Sequence, residues 1–190
     1  MKRTRRTPGV TLIELLIVIS LMSIFAAALL PTTTPAIHDE LDSAARRIAS
    51  DIDYCRSLAV TNNSEYRIGF QVQQNRYVMQ HVGDSNDLDD LPVTPYRNAN
   101  DPDDQQIVDL DQLPLHAMRV ELVAVLAGKT TTDRVEFGPL GETRETEDTI
   151  IWLGCGAGAD RLYQAIRINS VTGLTWIEQA QRTTPVVSAS

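Results

Sequence analysis

Histidines, a serine in a tight glycine turn, paired cysteines and clustered carboxylates are the side chains that most often carry reactions. In this chain of 190 residues they stand at spacings that fit no known reaction centre. His38, His81 and His116 are dispersed, with no H-E-x-x-H pair for zinc and no G-x-S-x-G turn to expose a nucleophile. Gly154-Cys155-Gly156-Ala157-Gly158 has the glycines of a phosphate loop but lacks the Lys and the Ser or Thr that would contact phosphate and metal. It reads as a turn. Residues 83–106 carry seven aspartates against Arg97 alone, and hard carboxylate oxygens are calcium ligands. Asp87, Asp89 and Asp90 are the nearest candidate set. Their spacing fits no EF-hand, and Pro92, Pro95 and Pro102 describe a solvated loop suited to a subunit-specific contact. Cys55 and Cys155 are either a disulfide pair or two buried thiols. Apart from that weak calcium candidate no cofactor is expected, and neither a small-molecule substrate nor an enzyme activity.

These residues must be carried by a chain of divided charge. Hydrophobic residues make up 43% and charged residues 22%, which is ordinary for a folded protein and excludes wholesale disorder. The net charge of −8 hides two pieces. Residues 1–9 hold Lys2, Arg3, Arg5 and Arg6 with no acid, and the remainder is strongly acidic. An acidic body argues against nucleic-acid binding, which needs Lys and Arg against phosphate. A basic leader before an apolar run is a targeting signature.

Residues 10–30 are that run, broken only by Thr11, Glu14, Ser20 and Ser23. As a helix they would span about 32 Å, the thickness of a bilayer's hydrocarbon core. The cations before it predict a cytoplasmic N-terminus and a body on the outer side. A secretory signal cleaved after Ala26-Ala27-Ala28 is the competing reading, and a buried core helix a third. Glu14 counts against a secretory signal, because a carboxylate is costly there and has no use in it.

Gly9-Val10-Thr11-Leu12-Ile13-Glu14-Leu15-Leu16 resembles the signal of type IV prepilins and pseudopilins. The resemblance implies cleavage between Gly9 and Val10 by a prepilin peptidase, methylation of Val10, and a retained Glu14 that helps assembly. Val10 stands where the family prefers Phe or Met, and Pro8 beside the scissile Gly9 is less usual. An unpaired carboxylate in lipid is expensive. Glu14 would therefore favour packing against a neighbour's N-terminal amine. The expected location is the bacterial inner membrane, single-pass, with a periplasmic C-terminal domain.

Residues 31–35 (Pro-Thr-Thr-Thr-Pro) predict a break. Over 36–63, Ile37, Leu41, Ala44 or Ala45, Ile48, Ile52, Cys55 and Ala59 recur at helical spacing, predicting an amphipathic helix packed on a sheet. The same stripe on a partner is the alternative use. The period then changes to that of strands, near 66–72, 75–82, 118–126, 134–137, 149–153, 163–169 and 174–178, with Thr172-Gly173 in a closing hairpin. The fold class is α+β: a long N-terminal helix, its first half transmembrane, and a mostly antiparallel β domain over 64–180 with a flexible tail over 181–190. The run 45–60, the Phe137-Gly138-Pro139-Leu140-Gly141 turn and the 166–176 hairpin resemble the H-type minor pseudopilins and FimT-like minor pilins. That resemblance implies a pilin-like fold and a filament subunit of type II secretion with other pseudopilins or pilins as partners. A FimT-like pilin of DNA uptake is the alternative, and a membrane-anchored enzyme the rival of another class.

Overall fold

The computed structural model describes residues 11–28, 33–92, 94, 101–112 and 118–185. The chain divides into two units, residues 1–33 and 34–190. In the first, α1 (Leu12–Ala28) is a single helix. From Leu12 to Phe25 its large apolar side chains are all exposed. Ser20 and Ser23 return their hydroxyls to the carbonyls of Leu16 and Ile19, each at 2.7 Å. Such i−4 bonds satisfy the hydroxyls within the helix. At 17 residues α1 covers most of the apolar run, whose positions 10, 29 and 30 lie outside the described residues. Among the described residues, no helix is long and apolar enough to cross a membrane.

Helix α2 (Thr33–Asn62) belongs in all but its first residue to the second unit. It starts three residues before the expected point, so Pro35 sits in its first turn rather than in a break. A proline is tolerated there because the first N–H groups of a helix have no intrahelical partner. Asn63, at φ 48°, ends the helix in the left-handed region, where its side chain is better tolerated than most. Ile37, Leu41, Ala44, Ala45, Ile48, Ile52, Cys55 and Ala59 are all 0–2% exposed, so the stripe is core.

Two antiparallel sheets take up the rest. One has the order β3 (Gln105–Asp109), β2 (Arg76–His81), β1 (Tyr66–Gln71), β6 (Arg134–Phe137). The other has the order β5 (Thr130–Thr131), β4 (Val120–Ala127), β7 (Thr149–Cys155), β8 (Leu162–Ile168), β9 (Thr175–Ile177). Tyr66, Ile68 and Phe70 of β1 alternate inward, and Tyr66 lies opposite both His81 and Phe137. A long-range polar staple joins the sheets. Asn75, at φ 50° between β1 and β2, accepts the Leu122 N–H at 2.8 Å and donates to the Val120 carbonyl at 2.9 Å.

Two further expectations change. The acidic loop does not run open to residue 106, because β3 begins at Gln105 and pairs with β2. Before it, buried Leu91 returns its N–H to the Asp103 carbonyl at 2.9 Å. Gln106 interrupts the expected pattern, being polar yet 2% exposed on this edge strand. The tail is not loose at its start either, since Gln181 exchanges two 2.7 Å backbone bonds with Tyr163. The cysteines are free and buried, with no bridge between them.

Candidate functional site

Gly9 and Val10, the expected cleavage and methylation positions, lie outside the described residues. The residues directly after them form a helix start. The Thr11 hydroxyl accepts the Glu14 N–H at 3.3 Å, and the Thr11 carbonyl accepts the Leu15 N–H at 3.1 Å. Thr-x-x-Glu is the spacing of a capping box, of which this is the Thr half. Glu14 is thereby fixed in the first turn, exposed, and is the lone ionisable side chain of α1. An apolar surface on every side requires lipid or protein around it, and Glu14 adds one carboxylate to that surface.

On the second unit, Arg56 of α2 makes two long-range hydrogen bonds. Its Nε donates to the carbonyl of Gly141 at 3.0 Å and to that of Thr172 at 2.9 Å. One guanidinium thus ties the 137–141 turn to the β8–β9 hairpin turn. Gly141 and Gly173 have φ of 82° and 65°. A Cβ on Gly173 would lie 2.1 Å from the Gly141 carbonyl oxygen. Only glycine permits this approach of two backbones. Exposed Val60, Leu140, Val171 and Leu174 stand on or beside these turns.

Sequence spacing missed a third constellation. Ser64 Oγ lies 2.7 Å from His81 Nε2, and His81 Nδ1 lies 2.8 Å from Asp89 Oδ1. With Asp89 ionised and the imidazole neutral, Nδ1 carries the proton and Nε2 accepts from Ser64. That is the order of a serine, its base and an orienting carboxylate. Ser64, however, is 9% exposed, and a Cβ on Gly83 would fall 2.1 Å from its Oγ. Gly83 therefore packs directly on the hydroxyl, where an acyl group would have to approach. The three residues work as a tie between the end of α2, β2 and the acidic loop. The signal was out of reach of spacing rules, because the three meet only through the β1–β2 pairing.

Asp89 is occupied by this tie, and no group of three or more His, Cys, Asp or Glu that could hold a metal occurs among the described residues. Asp87 and Asp90 make no such group with it. Gly154 and Cys155 end β7, and the turn to β8 follows, with Gly156 at φ 89° and Gly158 at φ 57°. Burial pushes the thiol of Cys55 up strongly and that of Cys155 up as well, so both are held protonated.

Comparison with known proteins adds to this geometry. Residues 4–30 match the prokaryotic N-terminal methylation motif, and residues 44–173 match the model of the type II transport protein GspH. The second match contains α2 from Ala44 onward, Arg56, and its two acceptors Gly141 and Thr172. Among solved structures, the type IV minor pilin FimU of Pseudomonas aeruginosa shares 16% identity over 80% of this chain and 98% of its own, with a TM-score of 0.50. The minor pseudopilin EpsH from the type 2 secretion system of Vibrio cholerae shares 10% identity over 74% and 97%, with a TM-score of 0.48. The likeness to FimU is one of fold. No curated protein matches the chain in sequence.

Proposed function

Because this chain belongs to the family of the type II transport protein GspH, we propose that it works as a minor pseudopilin processed at Gly9 and packed through α1 into a short filament. The observation that carries this reading is α1 itself. It is apolar on every side yet keeps one carboxylate in its first turn, directly behind the methylation motif. Lipid covers such a helix before assembly, and neighbouring helices cover it afterwards. The carboxylate then favours neighbours that bring a positive amine to its level, because an ion pair is strengthened where water is scarce. The folded second unit stays on the far side of the inner membrane, and its role is structural. Sister pseudopilins and the prepilin peptidase are its partners.

Intact mass of the membrane-extracted protein tests this. The expected species begins at Val10 and carries one added methyl group. A species beginning near Leu29 would show a secretory signal and overturn the reading. The acidic unit is also expected to leave DNA unbound at ~150 mM salt. Salt-sensitive DNA binding would move the assignment to a pilin of DNA uptake.

A further inference from the structure

The face of α2 that looks away from the core is not evenly solvated. His38, Asp42, Ala49 and Asp53 recur at helical spacing and form one wall of a groove of about 680 Å³. Residues 175–180, which are β9 and the segment after it, form the opposite wall. Three properties of this groove point to the same class of occupant.

The first is an acceptor left over. Gln164 lines the groove and is 2% exposed. Its Nε2 donates to Asp42 Oδ1 at 2.8 Å and to the Glu178 carbonyl at 3.1 Å, while its buried Oε1 has no hydrogen-bond partner among the described residues. Buried polar atoms nearly always have a partner, so this oxygen has room for one further donor. The second is charge. Asp39, Asp42, Asp53 and Glu178 face Arg46 as the lone arginine or lysine of the lining; Asp42 pairs with Arg46, Glu178 with Arg167, and Asp53 accepts from Thr175, so Asp39 carries the charge left over. The third is an open edge. The five-stranded sheet ends at β9, which pairs with β8 on one side and with no strand on the other among the described residues. From His38 to Asp53 the wall runs about 22 Å along the helix, the length of some six or seven residues of extended chain.

We propose that the groove receives an extended, lysine- or arginine-bearing segment of a neighbouring filament subunit, laid along β9 as an added strand. The inference rests on the reading of this chain as a filament subunit. Main-chain bonds to the edge hold the segment, Asp39 selects its charge, and a donor from it satisfies Gln164 Oε1.

The test uses the full chain in a non-ionic detergent, titrated with fluorescently labelled capped heptapeptides and followed by anisotropy. The probes are an alternating Lys-Val peptide, its Glu-Val counterpart, and the Lys-Val peptide N-methylated at alternate residues. The Lys-Val peptide is expected to bind. Its affinity should fall about tenfold when N-methylation removes its main-chain donors, and about tenfold for Asp39→Lys. Asp39 is exposed, so that variant leaves the fold intact. No binding of the Lys-Val peptide, equal binding of the Glu-Val peptide, or indifference to both changes overturns the inference. Each of those results leaves the mass of the processed chain untouched, so this inference and the filament reading fail separately.

Discussion

Tyr77 donates its hydroxyl proton to Asp51 Oδ2 over 2.5 Å, joining the middle of α2 to β2 across the core. Arg47 completes the group from one turn earlier on α2, with Nε at 3.0 Å from the same oxygen. Burial raises the Asp51 carboxyl above its ordinary value, and the bonds from Tyr77 and Arg47 offset only part of that rise. Tyr77 is pushed well up and stays a donor.

This burial gives stability a pH dependence of definite sign. A carboxyl whose folded pKa lies above its unfolded value binds its proton more tightly in the native state. Its contribution to stability is full below the ordinary value of 3.8 and is lost as pH rises through the raised folded value. Denaturant unfolding of residues 34–190 at a series of pH values from 3.5 upward checks this against Asp51→Asn. The wild type should lose stability relative to that variant as pH rises. A flat difference would show that the pair is not strained by burial.

Arg56→Ala removes both bonds between the two turns. Charge-assisted bonds of this kind contribute ~1.5–3 kcal/mol each when buried, and half-exposure reduces the expected total to ~1–2 kcal/mol. Arg56→Lys should recover only part of the loss, since its ammonium lies at the end of a flexible stem and not at the position of Nε. Limited proteolysis should find new cuts near residues 138–142 and 170–174 in the Ala variant.

Glu14→Val takes the carboxylate out of α1, so membrane insertion should be unchanged or easier. Cleavage after Gly9 should persist, because the peptidase reads the leader. Recovery in sheared filaments, or crosslinking to sister subunits, should fall sharply, with Glu14→Asp between the two. Wild-type assembly of Glu14→Val would remove Glu14 from the assembly mechanism.

Both cysteines should resist N-ethylmaleimide in the native protein at pH 8, since they are buried and held as thiols. After unfolding without reductant each should add one equivalent by mass. A species two hydrogens lighter that adds none would show a disulfide.

Local spacing alone determined a good deal of this protein. The basic leader, Gly9 and Glu14 are contiguous, so the targeting signal was readable before any folding. The stripe from Ile37 to Ala59 was readable for a similar reason, because a helix sets its faces by nearest-turn geometry and the apolar face must be buried. Strands such as Tyr66–Gln71 and Arg134–Phe137 alternate cleanly because each has one face in the core. Tertiary structure alone decided the remainder. β3 was hidden among aspartates because it earns its place by pairing with β2, with Gln106 buried opposite Met79, rather than by its own hydropathy. The division of the strands into two sheets depends on partners far apart in sequence, such as Ile68 and Val135. Ser64 with His81 and Asp89, Arg56 with Gly141 and Thr172, and the groove between α2 and β9 are likewise meetings of distant residues. No periodicity encodes them, since loop closure and strand register choose which distant side chains meet.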